Sequence, residues 1–180
     1  MSAVALIQRL HEHRAFVNRN LLAAASGLPD DALRRTFPIG QGSLWQTLLH
    51  LYAAEWIWLR ALQGDENPQL PGDLPGRVVG NQQGDGAIAS LMQLVQKWTD
   101  LQSDWVRYLS GITDDSLDDP VFKVAMSTGQ GVATRRSDVL LHVCTHAHYT
   151  TAQAVNILRH LDVKPLPETM LISFARRKAL

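Results

Sequence analysis

The sequence is poor in cysteine, has no excess charge of either sign, and contains no long uninterrupted apolar run. Its 180 residues include one cysteine, Cys144, so an internal disulfide is excluded. Seventeen basic residues balance seventeen acidic ones, whereas nucleic-acid binders usually carry a basic excess or stripe. No stretch approaches the roughly 20 apolar residues of a membrane-spanning helix, and the first residues become charged too soon for a secretory signal. We therefore expect a cytoplasmic protein with no nucleic-acid or membrane partner.

The bulk composition is that of an ordinary folded protein. Hydrophobic residues make up 46% of the chain and charged residues 19%, which argues against intrinsic disorder. A chain of 180 residues can bury a sizeable core without disulfide or metal staples. No internal repeat or low-complexity tract divides it, so we expect a single domain over residues 1–180.

Apolar residues that recur at steps of three and four predict four long helices. The first begins after Ser2 and ends near Ser26, and the second follows a cap at Gly42 or Ser43 and ends at Gly64. The third is predicted from Ala87 to Leu109, and the fourth from Ser137 to about Leu161. The pattern favours an all-α, up-down four-helix bundle.

The predicted connections are of several kinds. A short turn or helix is expected at Asp30–Leu33, and a long surface loop rich in Pro, Gly, Asp, Asn and Gln at Asp65–Gly86. The helical period disappears between Asp114 and Arg136. There the sequence resembles a short hairpin or an irregular cover, formed by Val121–Met126 and Val132–Thr134 with Ser127–Gly131 between them. A short C-terminal helix is predicted over Glu168–Lys178.

The second predicted helix is apolar around nearly its whole circumference. Such a helix must be covered on more than one side, either by the long loops or by a second subunit. Of these two we favour a homodimer.

Histidines stand out in the second and fourth predicted helices. His50 lies in the second, and His142 and His146 lie four apart in the fourth, which places both on one face of that helix. Imidazole is the commonest protein metal ligand, and opposed helices of a bundle often build metal sites from inward side chains. If His50 faces the other two, the bundle holds a candidate metal pocket.

The same segments resemble the DinB/YfiT-like family of four-helix-bundle proteins over essentially the whole chain. The stretch from Gly42 reads G-S-L-x-x-x-L-x-H-L-x-x-A-E-x-x-W-L-x-x-L-x-G, which matches the first histidine motif of the family with His50 at the ligand position. The second motif has the form H-x-x-x-H-R-G-Q. Here His146 occupies its first ligand position and Gln153 its glutamine, but Thr150 replaces the other histidine.

The resemblance implies a divalent metal (zinc, nickel or iron) held by histidines, and a hydrolase or a transferase that uses a low-molecular-weight thiol. In this chain the implied ligands are His50 and His146, with His142 or a water completing the set. Three neutral imidazoles and an open position would form a Lewis acid that lowers the pKa of a water or thiol. The alternative is a non-catalytic small-molecule-binding or stress-response bundle with a degenerate metal site.

Several neighbouring residues receive narrower expectations. Thr150, Tyr149 and Gln153 are candidates to line the pocket. Glu55 is expected to be a buried, paired carboxylate rather than a general base, because an isolated buried charge is costly. Cys144 and His148 are each two residues from His146 and should point away from it, since two helical steps rotate by about 200°.

Overall fold

A computed structural model describes residues 2–125 and 128–178. The long helices are α1 (Ala3–Ser26), α3 (Leu44–Leu62), α4 (Leu91–Ser110) and α5 (Arg136–His160). Shorter elements are α2 (Asp30–Arg34), a 3-10 turn (Asp115–Asp118), strands β1 (Pro120–Val124) and β2 (Gly131–Arg135), and α6 (Leu171–Lys178). The fold is an all-α bundle with one small hairpin, as the sequence predicts.

Serine caps fix where three of the long helices begin. The hydroxyls of Ser2, Ser43 and Ser90 accept the amide N–H of the residue three positions on, which satisfies a donor that the helix leaves unpaired. Because Ser90 caps α4, that helix starts at Leu91, four residues later than the apolar period predicts. The apolar residues before the cap belong to the preceding loop.

The long helices pack around a common core in which α5 lies against both α3 and α1, and α4 contacts the same two helices. The consecutive long helices α1 and α3 therefore lie diagonally across the bundle. Their side chains meet through an ion pair between Arg14 and Glu55, both almost fully buried. Glu55 also accepts from Asn18 Nδ2 at 2.7 Å and Trp98 Nε1 at 3.1 Å. The expectation of a buried, paired carboxylate is thus confirmed.

The all-round apolar surface of α3 is covered from within the chain. The loop that follows it packs against its outer side, with Gly80 in close contact with the backbone of Leu49 and His50. Strand β1 contacts α3 as well, and Lys123 lies over the ring of Trp58. Of the two covers that the sequence allows for α3, long loops or a second subunit, the structure shows the loops. The apolar surface of α3 therefore gives less reason to expect a dimer. The oligomeric state stays a prediction.

The hairpin is antiparallel, with Val121 opposite Thr134 and Lys123 opposite Val132. Residues Met126 and Ser127 of the predicted hairpin lie outside the described residues. Within the described ranges, no helix combines the length and apolar character that crossing a membrane requires.

Candidate functional site

The structure brings two of the predicted histidines together. His50 lies near the middle of α3 and His146 near the middle of α5, and these two helices pack side by side. The Nε2 atoms of the two rings are 3.2 Å apart. The ring centroids are 5.1 Å apart and the planes are inclined by 63°, so the rings meet at their nitrogen edges rather than stacking.

A backbone carbonyl orients His50. Its Nδ1 lies 2.9 Å from the carbonyl oxygen of Val79 in the loop after α3. A carbonyl only accepts, so Nδ1 carries the proton and Nε2 presents a lone pair towards His146. This arrangement, in which the second ring nitrogen donates to a carbonyl, is usual for histidines that bind metals through Nε2.

The loop that supplies this carbonyl is held against α3 at Gly80. Asp73 accepts the Gly80 amide N–H at 2.7 Å. Gly80 has φ +79, and a Cβ there would lie 2.6 Å from the Leu49 carbonyl oxygen and 2.7 Å from the His50 Cα. Only glycine allows the loop backbone to approach the helix so closely.

The environment lowers the pKa of two imidazoles of α5, those of His142 and His146. Burial, followed by charge repulsion from His50 and His142, lowers the pKa of His146 to about 4. Burial also lowers the pKa of His142. At neutral pH both rings therefore retain the lone pair that a metal or a hydrogen-bond donor requires.

His142 lies next to the pair without joining it. Its ring centroid is 5.8 Å from that of His146, and its ring packs edge-on to Trp58 at 5.2 Å. In the part of the chain that the structure describes, no three His, Cys, Asp or Glu side chains are arranged to hold a metal ion. The pair is therefore the core of the candidate site, and His142 would have to change its rotamer to contribute.

The other predicted pocket residues are spread around α5. Thr150, one turn after His146, is buried with 1% of its surface exposed. Gln153 packs against Gly40 in the loop before α3. Tyr149 is 68% exposed, which is a surface position rather than a pocket wall. Cys144 and His148 line a separate cavity between α5 and α1, as their rotation on the helix predicts.

Sequence reasoning missed three contributors. The carbonyl of Val79 carries no side-chain signal that a sequence could reveal. Trp58 contacts the ring of His142, which the helical spacing of the two residues does not indicate. Lys123 extends from the hairpin over Trp58, and burial lowers its pKa. Val79 and Lys123 also border a cavity of about 430 Å³ between the long loop, the hairpin and α3.

The chain was compared with known proteins. The sequence profile of the DinB superfamily matches residues 15–154, a segment that contains α3, α4 and most of α5. No curated protein matches the chain. The matched segment is well over half of the sequence and includes both histidines of the pair. The chain belongs to the DinB superfamily.

Proposed function

We propose that this protein is a divalent-metal-dependent enzyme, either a hydrolase or a thiol-dependent transferase, whose metal is held by His50 and His146. The observation that carries the proposal is the 3.2 Å separation of their Nε2 atoms. Two nitrogens bound to one tetrahedral ion at about 2.05 Å would be about 3.3 Å apart, so the pair has the spacing of two ligands of one metal.

The donor chemistry fits as well. Neutral imidazoles bind zinc, nickel and iron, and the low pKa of His146 means that little proton competition opposes binding at neutral pH. The Val79 carbonyl fixes His50 with Nε2 free.

Two histidines alone form a weak site, so further ligands are needed. His142 is the nearest nitrogen donor and would reach the site by rotating away from Trp58. Thr150 offers a neutral hydroxyl from a buried position one turn further along α5. Waters would occupy the remaining positions, and the metal would lower the pKa of a bound water or thiol.

The adjacent cavity suggests where a substrate would bind. It shares Val79 with the histidine pair, and its charged lining residues are Arg77, Lys123 and Asp73, whose carboxylate already accepts backbone amides of the loop. Lys123 is half-buried over Trp58, where a neighbouring anionic group would favour its charged form. We therefore favour a small substrate with an anionic group, held between the long loop and the hairpin.

One observation favours a second function. The same 3.2 Å contact is an ordinary hydrogen bond if His146 Nε2 donates to His50 Nε2. Together with Thr150 at the family's other histidine position, this fits a non-catalytic small-molecule-binding or stress-response protein with a degenerate site.

Metal titration of tag-free protein tests the proposal. Zinc, nickel and ferrous iron would be titrated calorimetrically, and bound metal would be measured by mass spectrometry. We expect one ion per chain, with binding lost in His50→Ala and His146→Ala. His148→Ala is the matched control, since it removes a histidine from the other side of α5 and should leave binding unchanged. Metal-free wild type with no saturable binding would refute the enzyme and leave the second function.

A further inference from the structure

A second cavity lies on the opposite side of α5 from the histidine pair, between α1, α5 and the start of α6. Its volume is about 370 Å³, within the range of roughly 300–1,000 Å³ that small-molecule sites occupy. Most of its wall is apolar and comes from all three helices: Leu10, Val17, Leu141, Ala147, Met170 and Leu171. Neither of the histidines of the pair lines it, so it is separate from the site described above.

The inner wall of this cavity has polar groups without partners. Arg14, Asn18 and Thr151 line it, with only 3%, 4% and 2% of their surfaces exposed. Within residues 2–125 and 128–178, Arg14 Nε, Asn18 Oδ1 and Thr151 Oγ1 have no hydrogen-bond partner. A buried polar atom without a partner costs about 1–3 kcal/mol, so three beside one cavity indicate a bound polar group.

The chemistry of that group follows from what is already paired. Asn18 donates its Nδ2 to the Glu55 carboxylate, and this contact fixes the amide orientation and leaves Oδ1 as an acceptor. Arg14 Nε can only donate, whereas the Thr151 hydroxyl can do either. A ligand group that both donates and accepts satisfies this set, and a hydroxyl is the smallest such group.

A charged ligand fits less well. The Arg14 guanidinium is already neutralised by its ion pair with Glu55. A carboxylate would therefore gain little attraction, and its oxygens would face the Asn18 carbonyl oxygen, which can only accept. The rest of the wall is mainly apolar apart from His13, Thr145 and His148, and burial lowers the pKa of His13, so that its ring offers a carboxylate little positive charge.

We propose that this cavity binds a small, uncharged and mainly apolar molecule that bears a hydroxyl group, such as a medium-chain alcohol or an alkylphenol. The hydroxyl lies against Asn18 and Thr151, and the apolar part extends towards Met170 and Leu171. The proposal does not depend on a metal at His50 and His146, so either can fail while the other stands.

The test is a titration of the metal-free protein with 1-octanol and with sodium octanoate, followed by amide chemical shifts and calorimetry. We expect saturable binding of 1-octanol, with chemical shift changes confined to α1, α5 and α6. Octanoate should bind with an affinity at least roughly tenfold lower than that of 1-octanol. Thr151→Val removes one hydrogen-bond partner at nearly constant volume and should weaken octanol binding by roughly tenfold.

A second variant keeps the test valid if Thr151→Val does not fold. Thr145 is exposed at the mouth of the cavity, and Thr145→Trp should block octanol. Thr99→Trp is the matched control, because Thr99 is also an exposed helical threonine whose hydroxyl bonds its own helix, on α4. Absence of saturable octanol binding, octanoate binding as tight as octanol, or octanol binding that Thr145→Trp leaves intact would each overturn the proposal.

Discussion

Gly80→Ala changes no side chain of the candidate site, yet it should disturb the site through the backbone contact with His50. The added Cβ would lie 2.6 Å from the Leu49 carbonyl oxygen, whereas ordinary contacts begin at 3.4 Å. The loop must therefore retreat from α3 by about 0.8 Å. The Val79 carbonyl precedes Gly80 directly and moves with it. Its 2.9 Å hydrogen bond to His50 would then lengthen beyond the limit at which it stabilises the ring.

Three contributions set the expected loss of stability. Alanine in the left-handed region costs about 1–2 kcal/mol. Forcing backbone segments apart typically costs about 1–3 kcal/mol, and the lost hydrogen bond about 1 kcal/mol. Gly76→Ala is the matched control, because Gly76 has φ +72 but nothing within 4 Å of an added Cβ. We expect Gly76→Ala to lose only the conformational part, and Gly80→Ala at least about 2 kcal/mol more.

Urea unfolding of both variants measures the difference in stability. Long-range proton–nitrogen spectra of the histidines report whether His50 keeps its proton on Nδ1. If zinc binds, its affinity should fall about 10- to 100-fold in Gly80→Ala, since the carbonyl that orients the ligand has moved. Equal stability of the two variants, with the His50 tautomer unchanged, would show that the close contact of the loop does not position this ring.

Three further predictions concern other residues. Removing one partner of the buried Arg14–Glu55 pair, as Arg14→Met or Glu55→Gln, should lower the free energy of unfolding by about 3–5 kcal/mol. A double-mutant cycle measured by urea unfolding should show a coupling of about 2 kcal/mol or more, and purely additive single effects would contradict the pairing. The control Arg107→Met, in an exposed pair, should cost below about 1 kcal/mol. Burial lowers the pKa of His11 well below 6.5, so the unfolded chain binds more protons than the folded chain below that pH. Because of this residue, the free energy of unfolding should fall on acidification by up to about 1.4 kcal/mol per pH unit. In His11→Gln, urea titrations between pH 7 and 5 should show a shallower fall in that free energy. Thr150→His should tighten zinc binding at least tenfold by calorimetry if the site lacks only a third imidazole, and unchanged affinity would contradict that reading.

The sequence predicted the helices because their signals are local. The apolar period and the serine hydroxyls at Ser2 and Ser43 belong to short windows, and the observed helices follow them closely. The prediction placed the start of α4 too early, because Ile88 continues the apolar period although it is buried in the preceding loop. A cap decides such a boundary, and here Ser90 is the cap.

The cover of α3 shows what the pattern of a single helix can and cannot predict. Periodicity shows that α3 must be covered, but it does not say by what. The cover depends on how the loop of residues 65–90 packs, and that packing requires a close backbone approach at Gly80. A glycine in a loop has many explanations, so its sequence alone does not reveal this one.

The candidate site was predictable in its side chains but not in its supports. His50 and His146 were identified from motif and spacing, and the structure brings them into contact. The Val79 carbonyl that orients His50, and the Lys123 side chain that lies over Trp58, depend on the paths of the long loop and the hairpin. The cavity on the other side of α5 needs α6 as a wall; the short C-terminal helix was predicted, but no local pattern predicts where it packs.

The contact between His50 and His146 also defines how the metal-bound and metal-free forms would differ. With His50 protonated on Nδ1, the 3.2 Å contact is a hydrogen bond only when His146 carries its proton on Nε2. A metal needs that same nitrogen as a lone pair, so binding must move the proton to Nδ1 and break a hydrogen bond worth about 1 kcal/mol. This cost is small beside the free energy of a structural zinc site, about 10–16 kcal/mol, but large beside that of a weak two-histidine site. The tautomer of His146 therefore distinguishes the two functions. If adding zinc moves the His146 proton from Nε2 to Nδ1 while the His50 tautomer stays unchanged, the pair binds metal. If the proton stays on His146 Nε2, the bundle uses the pair only as a hydrogen bond.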